Sequence, residues 1–224
     1  MILVFDLDDT LFDDMQFVRG GLHEVSRYLH KTYSIPTNVS FPLFIRQAGK
    51  NRSRVFDNVL SMLGLHTKRE IKKCIGIYRS HKPRLSLHGD ALRCFKRLRA
   101  FPLYIVTDGH KTVQAAKIKA LGLDKHVKFS FITHRYGVRH AKPSPWCFLK
   151  ICKIEKVHPG EVVYVADNPE KDFVGIKPLG FVTVRILRGR CRHIVKTRRH
   201  EAAFRIDSLD ELTLEFLDKI IRTD

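Results

Sequence analysis

Three uninterrupted apolar runs stand out along the chain: Ile2 to Phe5, Leu103 to Val106 and Val162 to Ala166. Runs of this length, rich in β-branched residues and without polar alternation, predict strands buried on both faces, as in the middle of a parallel sheet. Val127 to Thr133, Phe181 to Ile186 and Phe204 to Ile206 predict three more strands. From Met15 to His81 the period changes to that of helices, with Phe17, Leu22, Val25 and Leu29 on one face and Val55, Val59, Leu60 and Leu63 on another. Gly64 reads as a helix stop, and Thr67 with Glu70 as a capping box for the next helix. Beyond His88, helices are expected around Ala91, Leu92, Phe95 and Leu98, from Lys111 to Leu121 with Gly122 as its stop, and after Ser144-Pro145. A further helix is expected after Asn168-Pro169. A closing amphipathic helix carrying Leu209, Leu212, Phe216, Leu217 and Ile220 is expected behind a Ser208/Glu211 capping box.

The alternation predicts an α/β fold of Rossmann type, a mostly parallel sheet with helices on both faces. Into it a helical block is inserted: residues 1–13 and 88–224 form the core and 14–87 the insert, with linkers at Phe12 to Asp14 and Pro83 to His88.

Size and composition narrow the class. A chain of 224 residues buries a full core, and its apolar runs fall well short of the roughly 20 residues that span a bilayer. No membrane partner is expected, nor a signal peptide ahead of the first strand. Five cysteines without a C-x-x-C pair read as reduced structural thiols, so a cytoplasmic location is expected. The net charge of +18 could steer phosphorylated substrates or hold nucleic acid through its phosphates. Its densest stretch, Arg188 to His200, lacks interleaved aromatics. A solvated loop or an anionic contact is the simpler reading, and nucleic acid is not the expected partner. The twelve histidines show no zinc-binding spacing.

Polar chemistry gathers where the apolar runs end. Asp6 and Asp8 follow the first run, and in open α/β sheets ligands bind beyond the carboxyl ends of the strands. Carboxylates crowded there call for a cation, Mg²⁺ being the expected one. The second run ends in Thr107-Asp108-Gly109, a hydroxyl and backbone N–H groups ahead of a helix whose start favours anions. Lys142 stands before Pro143 in a loop that precedes a helix, and Asp167 and Asp172 follow the Val162 to Ala166 run. In the insert, Arg46, Lys50, Arg52 and Arg54 surround Gly49 and read first as a solvated helix end. Arg46 and Arg52 are the candidates for reaching a remote anionic part of a substrate.

Asp6-x-Asp8-x-Thr10, Thr107, Lys142-Pro143 and the Asp167/Asp172 pair, in this order, closely resemble the four motifs of the haloacid dehalogenase superfamily, phosphatase branch. Ala166 stands where relatives commonly carry Gly. The resemblance implies that Asp6 is the nucleophile, forming an aspartyl-phosphate, and that Asp8 is the acid and base, with a pKa pushed toward neutrality. It implies Mg²⁺ held by Asp6, the backbone carbonyl of Asp8 and Asp167, with Asp172 in support. Thr107, Lys142 and the N–H of Asp108 would bind phosphoryl oxygens, and the insert would be a helical cap that selects the substrate. Asp8 argues against a dehalogenase. The expected activity is Mg²⁺-dependent hydrolysis of a small phosphorylated metabolite, a nucleotide or sugar phosphate. The alternatives are a phosphomutase of the same superfamily, or a basic protein that binds nucleic acid or another polyanion on this fold.

Overall fold

The computed structural model describes residues 1–222, which separate into two compact units: Met1–Asp14 with the chain from Leu85 onward, and Met15–Arg84. The first unit opens with β1 (Ile2–Phe5), every residue of which is buried.

The second unit is helical: α1 (Met15–Tyr33), α2 (Thr37–Lys50), α3 (Val55–Met62) and α4 (Lys68–Ser80). Val18, Leu22, Val25 and Leu29 recur at helical spacing along α1 and pack with Phe44, Ala48, Val55, Val59, Leu60 and Cys74 into one apolar core. At the start of α4, Thr67 accepts the Glu70 N–H at 3.1 Å. The Glu70 carboxylate is turned to the Tyr33 hydroxyl at 2.8 Å, and the Thr67 N–H goes to the Leu65 carbonyl, so only one half of the expected capping box forms.

The α/β unit continues with α5 (Gly89–Arg97), β2 (Leu103–Thr107), α6 (Lys111–Ala120), β3 (Phe129–Ile132), α7 (Trp146–Glu155), β4 (Val162–Ala166), β5 (Val182–Ile186), β6 (Phe204–Ile206) and α8 (Leu214–Ile221). Its six strands form one parallel sheet in the order β3-β2-β1-β4-β5-β6. One face packs Ile2, Val4, Tyr104, Val106 and Tyr164 against Phe148 and Ile151 of α7. The other places Phe5 edge-on to Phe95 of α5. The chain builds outward from β1 to β3, then returns to the other side of β1 with β4, so the reversal of strand order falls at β1. A crevice opens at such a point beyond the strands' carboxyl ends. Phe5 lies opposite both Ile105 and Val165, which brings the residues that follow β1, β2 and β4 to one level.

Three sequence expectations shift. The third strand is shorter than Val127 to Thr133, pairing over Phe129–Ile132. The Ser208/Glu211 capping box forms, but on a single 3-10 turn at Leu209–Glu211, and α8 starts afresh at Thr213, whose hydroxyl accepts the Phe216 N–H. The helix expected after Asn168-Pro169 is replaced by turns. There the Asn168 side chain accepts the Glu170 N–H at 2.9 Å while Asp172 turns its carboxylate back to the Asn168 N–H at 3.0 Å. This side-chain bonding competes with helix formation. The same segment passes so close to the loop before α7 that a Cβ on Gly175 would sit 1.7 Å from the Pro143 carbonyl oxygen. Among the described residues no helix is long and apolar enough to cross a membrane.

Candidate active site

Asp6 leaves the end of β1 with its N–H bonded to the Val165 carbonyl of β4 at 2.9 Å, which anchors it at the crevice. Asp9 then takes a left-handed backbone conformation (φ 56°), one that Asp tolerates better than most residues. Its carboxylate accepts the Asp14 N–H at 3.2 Å. This tight turn keeps Asp8 beside Asp6. From β4 and the turn that follows come Asp167 and Asp172, and from the loop before α7 comes Lys142.

Lys142 is the hub. Its ammonium lies 2.6 Å from Asp6 Oδ1 and 2.7 Å from Asp172 Oδ1, and donates to the Tyr164 hydroxyl at 3.0 Å. Burial works against its charge, but Asp172 and Asp6 outweigh it and hold the pKa well above the ordinary value. Tyr164 donates in turn to Asp172 at 3.1 Å. Asp6, Asp167 and Asp172 each present a carboxylate oxygen within 4.8 Å of the others, and all three are buried. Burial pushes Asp167 up to about 8, with Asp6 and Asp172 adding repulsion. Burial also pushes Asp6 up to about 7, against the pull of Lys142.

Were all three buried carboxylates ionised, the one ammonium facing them would leave excess negative charge, which is why burial drives Asp6 and Asp167 toward their protonated forms. A hard divalent cation with oxygen ligands fits that deficit and that donor set, as Mg²⁺ does.

Asp8 is the most accessible of the acidic group, its side chain 29% exposed against 8% for Asp6. Burial raises its pKa while Lys117 opposes the rise. Lys117 Nζ sits 2.7 Å from Asp8 Oδ1, and Gln114 Nε2 donates to Asp8 Oδ2 at 2.9 Å and to Thr107 Oγ1 at 2.7 Å. The Asp108 carboxylate accepts the Thr133 hydroxyl (2.8 Å), the Lys142 N–H (3.1 Å) and the Lys171 ammonium (3.0 Å). It therefore ties β2, the loop before α7 and the turn after β4 together. Burial alone would raise Asp108, but Lys142 and Lys171 hold it below the ordinary carboxylate value.

Asp6, Asp8, Thr107, Asp108, Lys142, Asp167 and Asp172 thus converge in the α/β unit. Arg46 and Arg52 belong to the helical unit. Arg46 is exposed on α2, and Arg52 is half-buried with its guanidinium 3.1 Å from Met15 Sδ. The expectation of a solvated loop from Arg188 to His200 is corrected in part. Arg188 pairs with Asp90 and donates to the Thr10 carbonyl, so it is a structural strut. Arg190, Arg192, Arg198 and Arg199 are exposed.

Sequence reasoning assigned no role to Gln114, Lys117 or Tyr164. The signal for Tyr164 is present: a hydroxyl in the middle of an otherwise apolar strand must find a partner. Gln114 and Lys117 stand three residues apart on α6 and so face the same way, but nothing local says what they face.

The chain resembles known proteins along most of its length. The family model described as haloacid dehalogenase-like hydrolase matches residues 1–180. The chain is 28% identical over 199 residues to the glyceraldehyde 3-phosphate phosphatase of Methanopyrus kandleri, covering 84% of each. It is 26% identical to the phosphoserine phosphatase of Thermus thermophilus, covering 84% of this chain and 89% of that one. The crystal structure of a phosphatase of the family from Thermococcus onnurineus superimposes with a TM-score of 0.63 at 25% identity, covering 96% of this chain and 97% of that one. The six-stranded parallel sheet and the match of the family model to residues 1–180 establish that the chain belongs to the haloacid dehalogenase-like hydrolases.

Proposed function

We propose that this enzyme hydrolyses a small phosphate monoester in two displacements through a covalent intermediate on Asp6. The observation that carries the reading is Asp6 Oδ1 at 2.6 Å from Lys142, inside the three-carboxylate cluster. An anionic nucleophile is held there beside a cation that offsets the charge of an incoming phosphate.

In the first displacement an Asp6 carboxylate oxygen bonds to phosphorus, the ester P–O bond breaks, and Asp8 gives its proton to the departing alkoxide. In the second, Asp8 takes a proton from water, the resulting hydroxide bonds to phosphorus, and inorganic phosphate leaves with Asp6 restored. Lys142 and the Thr107 hydroxyl hold the equatorial oxygens throughout. Asp6, Asp167 and the Asp8 backbone carbonyl would hold Mg²⁺, with Asp172 in support. The ion supplies charge neutralisation and alignment of the phosphoryl group. Asp172 also keeps Lys142 in place.

The relatives named for glyceraldehyde 3-phosphate and phosphoserine both act on three-carbon monophosphates, which makes that class the first to test beside sugar phosphates and nucleotides. The helical unit, with Arg46 and Arg52, is proposed as the cap that chooses among them. Phosphate release from such a panel, with and without Mg²⁺, is expected to identify a substrate whose turnover needs the ion. Asp6→Asn is expected to remove that turnover by about 10⁴-fold or more while leaving the fold intact. Turnover that survives the change would rule out Asp6 as the nucleophile.

A further inference from the structure

On α6, Gln114 and Lys117 are both buried, and they make an arrangement that the two displacements above do not by themselves require. Lys117 Nζ lies 2.7 Å from Asp8 Oδ1 and 2.7 Å from Asp14 Oδ1, so one ammonium is shared by two carboxylates. Gln114 Nε2 donates to the other oxygen of Asp8 at 2.9 Å and to the Thr107 hydroxyl at 2.7 Å. Each carboxylate oxygen of Asp8 thus has its own donor, and the plane of the carboxylate is fixed.

Room for this is made by Gly109, at φ +133°, where a Cβ would stand 3.2 Å from the Gln114 side chain, tighter than such contacts ordinarily run. The bridge therefore depends on three positions after β2: Gly109 for space, Gln114 and Lys117 for donors, the last two one helical turn apart.

We infer that Gln114 and Lys117 are positioning residues that fix the orientation of the Asp8 carboxyl for proton transfer to the leaving group and make Thr107 a donor. With Oδ1 held by the Lys117 ammonium and Oδ2 by the Gln114 amide, the Asp8 carboxyl is kept in one orientation at the crevice, where it meets the leaving group. Gln114 fills an acceptor site of the Thr107 oxygen, which turns the hydroxyl hydrogen away from the amide and free to meet a phosphoryl oxygen. Asp14 holds the far side of Lys117 and so keeps the ammonium from rotating away. The inference rests on the proposed two-displacement reading.

The two steps separate kinetically. kcat/KM reports only the steps up to loss of the leaving group, and that departure needs a proton when the group is an alkoxide but hardly any when it is 2,4-dinitrophenolate. kcat/KM is therefore measured in the full-length protein with Mg²⁺ for glycerol 3-phosphate and for 2,4-dinitrophenyl phosphate, in wild type, Asp8→Asn, Lys117→Met and Gln114→Leu. Lys117→Met is expected to lower the alkyl value by about 30-fold or more, in the range general-acid catalysis supplies, and the aryl value by less than about three-fold. Gln114→Leu is expected to lower the alkyl value by about ten-fold and the aryl value by less, the remainder reflecting Thr107. Asp8→Asn is expected to show the same selectivity as Lys117→Met, only larger.

An equal fall for both esters, or no alkyl-selective loss in either variant, overturns the inference, because a purely structural role would not distinguish leaving groups. If Lys117→Met does not fold, the Gln114→Leu ratio decides by itself. Turnover of either ester that survives Asp6→Asn would remove the two-displacement reading and this inference with it. A wild type active on both, with Asp8→Asn selective and the two α6 variants unselective, would remove the inference alone.

Discussion

In the α/β unit the buried charged side chains Asp6, Asp14, Lys117, Lys142, Asp167 and Asp172 converge just beyond β1, β2 and β4. In the helical unit the buried polar groups are dispersed and bond close by. Ser26 and Ser40 return to carbonyls one turn back, Glu70 meets Tyr33, and His81 Nδ1 meets the Tyr78 carbonyl. One unit concentrates mutually repelling charge and leaves it underneutralised, whereas the other disperses polarity over an apolar core. Burial of like charge costs stability unless something binds it, so it marks where chemistry is done. Dispersed polarity of this kind marks a scaffold, though the His81 Nε2 is buried there without a hydrogen-bond partner among the described residues.

The contrast breaks most sharply at Asp6, where the isosteric change to Asn should cost activity and little stability, since Lys142 keeps Asp172 as its ionic partner. Lys142→Met should cost both, because it strands Asp6 and Asp172 beside each other without their shared cation. Removing one partner of a buried ion pair destabilises by about 3–5 kcal/mol. Urea unfolding at pH 8 is expected to show a loss of that order, smaller at pH 6, where Asp6 and Asp167 are more protonated. A loss that did not depend on pH would show that the lysine acts through packing alone.

In the helical unit, Leu60→Ala should act on stability only. Leu60 is fully buried in the apolar core, and such truncations cost about 2–5 kcal/mol. Calorimetry should find the lowered transition, while turnover of a good substrate well below it stays within about two-fold of wild type. A large kcat defect at low temperature would mean that this core shapes the chemistry directly.

The last effect concerns pH. Asp6 and Asp167 have values raised to about 7 and about 8 from an ordinary 3.8. A carboxyl raised on folding stabilises the protein fully below its unfolded value, and that contribution is lost as pH rises through the folded values. Metal-free protein should therefore lose stability from these groups between pH 4 and 8, and Mg²⁺ should restore most at the alkaline end. Calorimetric titration is expected to find Mg²⁺ binding tighter at pH 8 than at pH 6, with proton release on binding. Equal affinity at both pH values would mean that the carboxylates are already ionised without the ion.

Much of the core was legible along the chain. The continuous apolar runs became β1, β2 and β4 because a strand covered on both faces leaves no room for polar alternation. The carboxylates, hydroxyl and lysine at their ends came together because parallel strands in register deliver their ends to one level. The local signals that misled were capping patterns. Asn168-Pro169 and Ser208 with Glu211 satisfy backbone groups in turns as well as at helix starts, and only the fate of the Asp172 carboxylate and the placement of Thr213 decide between them. The densest basic stretch read as one solvated loop, yet Arg188 is tied to Asp90, 98 residues away.

What the sequence by itself determined is the parallel α/β sheet, the helical character of Met15–Arg84 and the identity of the acidic, hydroxyl and lysine groups, because each is written in the local order of residues. Which charges share a proton or a cation was decided only by the tertiary structure. Lys117 meets Asp8 across 109 residues and Asp14 across 103, Lys142 meets Asp6 across 136, and Gln114 reaches Asp8 across 106. Such pairings arise from strand order and loop closure, and these fix positions in space that no local pattern encodes.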